Sequence, residues 1–443
     1  MYNINLLYDN WFLGKPLPNC LRPEILNHIK LNEKMIDTEM HILSFNIEKE
    51  FGNKHNVWMA NIGIKKELNK VQFSSNDWVY PIEPWGHIMY SLNLDAIDDY
   101  YNFFSLIPKE IIESVNNGIG KIVINYTHEG WVSEFLLKGM YVGCKNSGIK
   151  LDRVILLLND YNLESKIEKF KTKFNLSSYP TTINYSYYLT ASANHLYKKY
   201  NTNQLIKKHC NIPKTYKFLC LNRRLDLHRV KLISELYDYI KNESLISFDK
   251  FLITDEVPSF LNKDFNLNEK FEKLPNKVVA DRIDIQNTNG YEHESHHLFK
   301  DAYVNIVTET SFYIENDFIS EKIWKPLYHF QPIIVVGRPY LLKYLKEIGF
   351  KTFDWLIDET YDTIEDNNLR MEMIINEVKK LNDLSIFELH EIINKHFYIL
   401  EHNHNLLNKI GNNIDNIQNF VIEKVKEDNY TYTDIFKEIN LDL

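Results

Sequence analysis

The stretch AYVNIVTETSFYIENDFISEKIWKPLYHFQPIIVVG, Ala302–Gly337, decides the fold. Tyr303 to Val307 read as a short strand that ends in a polar corner, Thr308-Glu309. After the loop, SEKIWKPLYHF has helical spacing, with Ile323, Trp324 and Leu327 turned toward a core. PIIVVG is a second strand, YLLKYLKEIG a helix closed by Gly349, and KTF a further short strand. This β-α-β-α-β run is the core of a nucleotide-binding half, because parallel neighbours need a helical crossover between them. Pro326 should kink the first helix or mark a later start.

Upstream, YKFLCLNRRLDLHRVKLISELYDYI opens the same half. Phe218 to Leu221 form the strand and Asn222-Arg223-Arg224 the turn. Val230, Ile233, Leu236, Tyr237 and Ile240 then give helical spacing. The first half alternates in the same way: EMHILSFNIE, Glu39–Glu48, is one strand candidate. Ile122 to Tyr126 is another, ending in Thr127-His128-Glu129-Gly130. Val154 to Leu158 is a third, followed by Asn159-Asp160. Between about 195 and 215 the pattern loosens, and from about Thr363 it is almost wholly helical. The expectation is two α/β halves on parallel sheets, their strand ends facing across a cleft, and a helical tail. The boundaries fall at 1–205, 206–362 and 363–443.

The 443 residues exceed one ordinary core. With 44% apolar and 14% aromatic residues the chain should pack as a globule, and a net charge of −9 argues against a general nucleic-acid or membrane-surface binder. Cys20, Cys144, Cys210 and Cys220 form no CxxC pair and read as free thiols. MYNINLLYDNWFLGK lacks the charge-then-apolar pattern of a signal peptide, and no apolar run is long enough to span a bilayer. A cytoplasmic protein without membrane partners is expected.

Ligands on parallel sheets bind beyond the carboxyl ends of strands. Asn222, Arg223 and Arg224 sit at such an end, with His228 and Arg229 starting the next helix. Forked guanidinium donors beside a helix N-terminus suit a diphosphate, although the same turn also fits a solvated basic surface. Glu309 lies at the end of its strand. Ser320-Glu321 opens a helix, where a carboxylate accepts hydrogen bonds from ribose hydroxyls or simply caps, and Lys322 neutralises phosphate or is solvated. His293, His296 and His297, with Glu292 and Glu294, match no known metal-ligand spacing and read as a loop or helix cap, so no metal is expected.

Thr308-Glu309-Thr310-Ser311, then Phe318-Ile319-Ser320-Glu321-Lys322, then Pro332 to Gly337 resembles the donor-binding motif of the α-1,3-fucosyltransferases. KFLCLNRRLDLHR resembles that family's strand-Asn-Arg segment, and the TEK-like stretch is similar to glycosyltransferase-like proteins of phages and large DNA viruses. The resemblance covers roughly residues 216 to 360. It implies a GT-B-like fold of two Rossmann-like domains, and a nucleotide-sugar donor, GDP-fucose being favoured. Donor contacts would come from Asn222, Arg223, Arg224, Glu309, Ser311, Glu321, Lys322 and Lys325. Thr308 and Thr310 depart from the family's aromatic and Asn, which bears on the donor's base and sugar.

The implied reaction is an inverting, metal-independent transfer to a hydroxyl of a glycan or protein, with no tightly bound cofactor. The base that deprotonates the acceptor should come from the first half. Glu129 is the first choice, then His128, then Asp160. The alternatives are a phage or viral enzyme acting on modified DNA bases, in the host cytoplasm, and a non-catalytic nucleotide- or carbohydrate-binding protein.

Overall fold

The computed structural model describes residues 5–6, 78–82, 104, 107, 109–127, 132–200, 212–222, 224–254, 256–280, 296–313, 316–428 and 430–439. The strand expected at Glu39–Glu48, the corner residues His128, Glu129 and Gly130, and Arg223 lie outside the described residues. The chain divides into two compact units. One comprises Met1–Tyr187 and Ile414–Asn440, the other Tyr188–Asn413.

The first unit runs through β1 (Asn5–Leu6), β2 (Trp78–Ile82), α1 (Lys109–Asn116), β3 (Lys121–Asn125), α2 (Glu134–Asn146), β4 (Val154–Leu158), α3 (Leu163–Lys173) and β5 (Thr181–Asn184). Every residue of β4, VILLL, is buried, as a strand covered on both faces requires. Ser133 starts α2 by accepting the Leu136 N–H. The core beneath this sheet includes Ile122, Ile124, Leu136, Met140, Leu156 and Ile167.

The second unit follows with α4 (Tyr187–Tyr200), β6 (Tyr216–Leu221), α5 (Leu227–Ile240), β7 (Ser244–Asp249), α6 (Glu256–Leu261), α7 (Phe265–Lys273), β8 (Lys277–Val278), α8 (His296–Asp301), β9 (Ala302–Thr308), α9 (Glu321–Tyr328), β10 (Ile333–Val336), α10 (Leu341–Glu347), α11 (Asn367–Asp383), α12 (Ile386–Lys395) and α13 (Phe397–Asn412). Its strands are ordered β10-β9-β6-β7-β8. All neighbours are parallel except β7 and β8. Chain order runs outward from β6 in both directions, so the topological switch lies between β6 and β9.

The chain then returns to the first unit as α14 (Ile414–Lys426), β11 (Tyr432–Asp434) and α15 (Ile435–Glu438). β11 pairs in parallel with β5, completing the order β1-β2-β3-β4-β5-β11. Lys121 fastens this return: its Nζ reaches the carbonyls of Val425 (2.8 Å) and Glu427 (2.6 Å) at the carboxyl end of α14.

The α/β class and the two successive parallel-sheet units match the sequence reading. The tail is almost wholly helical, as expected, apart from the three residues of β11 that close a sheet edge. One local expectation fails. KTF, Lys351–Phe353, is not a strand. The Asn403 side chain occupies the Lys351 backbone instead, accepting its N–H and donating to its carbonyl, both at 2.8 Å. Pro326 sits inside α9, which ends two residues later at Tyr328. The proline removes the bond to the Lys322 carbonyl, so the helix is short but begins where Ser320 caps it.

Candidate functional site

The carboxyl ends of β6 and β9 are tied together by side chains. Asn222, 1% exposed, accepts a 2.7 Å hydrogen bond from the Thr308 hydroxyl and directs its amide to the Cys220 Sγ at 3.2 Å. Burial pushes the Cys220 thiol up to about 11, so it stays a protonated, inert partner. Such a strand-to-strand tie fixes the crevice where ligands of open α/β sheets bind.

In the first turn of α5, His228 and Arg229 hold Glu309. Nε2 of His228 lies 3.0 Å from the Glu309 carbonyl, and an Arg229 nitrogen donates to the same oxygen at 3.2 Å. A carbonyl only accepts, so Nε2 carries the proton and Nδ1 does not. Burial, with the Arg229 charge next, lowers the His228 pKa to about 3, against the opposing hydrogen bond to Glu309. The imidazole is therefore a neutral latch. Its ring stacks on Phe312 at 5.7 Å and 11°. Arg229 also bridges the Arg224 carbonyl (2.7 Å) and Asp226 (3.1 Å), and Arg224 donates from the other side of Asp226 at 3.1 Å.

The Glu309 carboxylate, fully buried, accepts the N–H groups of Thr310 (3.2 Å) and Ser320 (3.3 Å). It thereby closes the β9–α9 loop onto itself. Burial raises its pKa, while Lys322 and the Ser320 bond pull the other way and Glu321 adds to the rise. Ser320 caps α9 by accepting the Lys322 N–H. For Glu321 burial is the largest influence and raises the pKa, yet Lys322, Lys325 and the helix backbone outweigh it and keep the group ionised. Lys322 Nζ reaches the hydroxyls of Ser320 (3.0 Å) and Thr310 (3.2 Å) and lies 3.8 Å from Glu321. Ser311 is buried in the same loop, and Lys325 follows one turn along α9 on the Glu321 side.

Two arginines clasp this loop. Arg370, 1% exposed, donates to the carbonyls of Phe312 (3.1 Å), Gly337 (3.1 Å) and Ile364 (2.7 Å), with its guanidinium 4.3 Å from the Phe312 ring centre. Arg338 donates to the buried Asp317 at 3.1 Å. Gly337 follows β10 where a Cβ would stand 3.5 Å from that of Glu309 and 3.2 Å from Val335.

Of the residues singled out in the sequence, the second unit gathers Asn222, Arg224, Glu309, Ser311, Glu321, Lys322 and Lys325 about the switch point. Lys322 acts on the charge of Glu309, Glu321 and His228, and Arg224 acts on His228 and Arg229, so the cations share one electrostatic neighbourhood. Two roles differ from expectation. Glu309 and Asn222 face backbone and side-chain partners of the fold and serve as braces. The exposed groups are Arg224, with 62% of its side chain accessible, and Lys322, with 33%. The sequence reading placed His228 and Arg229 at the helix start but assigned them no role, and it passed over Asp226, Arg338 and Arg370. An arginine that donates to carbonyls carries no pattern of its own in sequence.

In the first unit Asp160 is fully buried and paired with Lys166, and it accepts the Asn162 N–H at 2.9 Å. It reads as a structural anchor, not as the acceptor base. Glu129 and His128 lie outside the described residues. Among the described residues no group of three or more His, Cys, Asp or Glu is placed to hold a metal ion. Among them, too, no helix is long and apolar enough to cross a membrane.

No family model matches the sequence, and no curated protein matches it. Among solved structures, the chain is similar to the N-terminal domain of trehalose-6-phosphate phosphatase from Candida albicans. That match has 12% identity and a TM-score of 0.39, covering 86% of this chain and 81% of the other. It is also similar to alpha,alpha-trehalose 6-phosphate synthase from Burkholderia multivorans, at 8% identity and a TM-score of 0.37, covering 88% of this chain and 80% of that one.

Proposed function

We propose that the chain is a glycosyltransferase of the GT-B type, moving a sugar from a nucleotide-sugar donor to a hydroxyl acceptor. A GDP-sugar such as GDP-fucose is the favoured donor. The observation that carries this reading is the meeting of two helix N-termini, α5 and α9, with Arg224 and Lys322 at the switch point between β6 and β9. Helix ends and exposed cations at that place suit a diphosphate, and stabilising that leaving group is most of what the transfer asks of the donor half.

In this reading Lys322 and Arg224 hold the phosphates, and Glu321 accepts from sugar or ribose hydroxyls. Glu309, Asn222 and Ser311 keep the crevice in shape. No metal and no tightly bound cofactor take part. The acceptor is deprotonated by a residue of the first unit, Glu129 before His128.

The test is a thermal-shift and turnover screen against GDP-, UDP-, CMP- and dTDP-sugars, since a ligand of the native state raises its melting temperature. One donor family should stabilise the protein. Lys322→Ala should remove about 2 kcal/mol of that affinity, the order of one charge-assisted contact. Glu129→Gln should bind donor and lose transfer. A protein stabilised by none of the four would overturn the proposal.

A further inference from the structure

The loop after β7 adds a surface that the phosphate site does not account for. Asp249, the last residue of β7, accepts the Phe251 N–H on its carboxylate (2.9 Å) and the Leu252 N–H on its carbonyl (3.0 Å). Asp249-Lys250-Phe251-Leu252 is thus a closed β-turn locked by an Asx bond. Burial raises the Asp249 pKa, yet the Phe251 N–H and Lys277, 3.0 Å away, outweigh it and keep the carboxylate ionised to hold the turn. Phe251 stands at the tip of this rigid turn with 77% of its surface exposed, whereas Phe248, three residues earlier, is 2% exposed.

The turn is bonded to the proposed phosphate site. The Leu225 N–H donates to the Leu252 carbonyl at 2.8 Å, and the Thr254 N–H to the Leu225 carbonyl at 3.1 Å, forming a parallel bridge between Leu225 and Ile253. Arg224 directly precedes Leu225 and Phe251 directly precedes Leu252, so this hydrogen bond joins the residues next to each. Scattered exposed apolar residues need no explanation. An exposed aromatic ring on a braced turn, whose next residue is hydrogen-bonded to the residue after an exposed arginine, is different: it suits a ligand with a flat face at one end and phosphate at the other.

We infer that Phe251 is the stacking surface for the nucleobase of a nucleoside diphosphate whose phosphates lie at Arg224 and Lys322. This rests on the nucleotide-sugar reading and adds to it where the nucleoside lies: on the β7 side of the switch point, over Leu225 and Leu252. Stacking on a ring face tolerates any base, so this contact supplies affinity while leaving the choice of base to other groups.

Isothermal titration of the full chain with three probes, GDP, UDP and inorganic diphosphate, tests the assignment. Phe251 is so exposed that Phe251→Ala leaves the fold intact, and unchanged thermal unfolding checks this. The variant should weaken the bound nucleoside diphosphate tenfold or more and leave inorganic diphosphate within about twofold, as loss of one stacking contact predicts. Phe251→Trp should restore nucleotide affinity. Equal nucleotide affinity in wild type and Phe251→Ala, with wild type binding well, overturns the role of Phe251 alone. An equal loss for nucleotide and diphosphate overturns it as well. A wild type that binds none of the probes overturns the nucleotide reading, and this inference with it.

Discussion

His228 should make the second unit acid-sensitive at a pH where most carboxylates are still ionised. Its pKa falls from an ordinary 6.5 to about 3 in the folded protein, because burial and the Arg229 charge oppose a second positive charge. The unfolded chain protonates near 6.5 and the folded one does not. Stability is therefore complete above pH 6.5 and is lost as pH falls toward 3. From pH 6.5 to 5 the loss is about 2 kcal/mol, at roughly 1.4 kcal/mol per unit. For a unit of this size that lowers its melting temperature by about 4–8 °C. Glu309, whose buried carboxyl is raised, works in the opposite direction. The histidine is isolated by comparison with His228→Gln, whose amide still donates to the Glu309 carbonyl but cannot titrate. Calorimetric melting of both proteins between pH 7.5 and 5 should give a steeper acid-side fall for wild type. Parallel curves would refute the neutral latch.

Two further outcomes concern packing and charge elsewhere in the second unit. Gly411 lies in α13, where an added Cβ would come within 2.4 Å of the Ala193 carbonyl and 2.6 Å of the Tyr197 Cβ. Gly411→Ala should cost about 2–3 kcal/mol, since α4 has to move away, and a melting temperature at or above wild type would contradict the contact. Asp362 starts α10 by accepting the Leu342 and Lys343 N–H groups at 3.0 and 3.1 Å, and burial pushes its pKa up to about 6. A raised carboxyl contributes stability below its unfolded pKa and loses it as pH rises through 6, so Asp362→Asn should flatten that part of the stability profile by about 2–3 kcal/mol. An unchanged slope between pH 4 and 6 would count against it.

The fold was most legible where strands are buried on both faces. The expected Val154–Leu158 run is β4 residue for residue, and β9 and β10 lie where the apolar runs put them. Such strands announce themselves because neither face is wet. The three residues of β11 do not, for their pairing with β5 is set by a partner some 250 positions away, as in the Asn184–Asp434 bond. KTF misled for the complementary reason: the Lys351 backbone found an asparagine side chain where a strand partner was expected. At the site, residue types indicated phosphate chemistry but not which groups are spent on the backbone. Glu309 read as a ligand in sequence and is a brace in space, as is Arg229, to which the sequence reading assigned no role. Arg370 carried no local signal, since its carbonyl partners come from loops far apart in the chain.

The parallel seat of β11 beside β5 has a consequence for synthesis on the ribosome. Tyr188–Asn413 is one uninterrupted segment and has all its strands as soon as it emerges. The earlier-made sheet has to wait, its β5 rim bare, until Tyr432–Asp434 arrives. Throughout that interval the rim offers unpaired N–H and C=O groups to any passing chain. A stall, a nonsense codon or a protease cut just short of Tyr430 would leave it bare for good, so chains lost from the far end should clump before they fail to act.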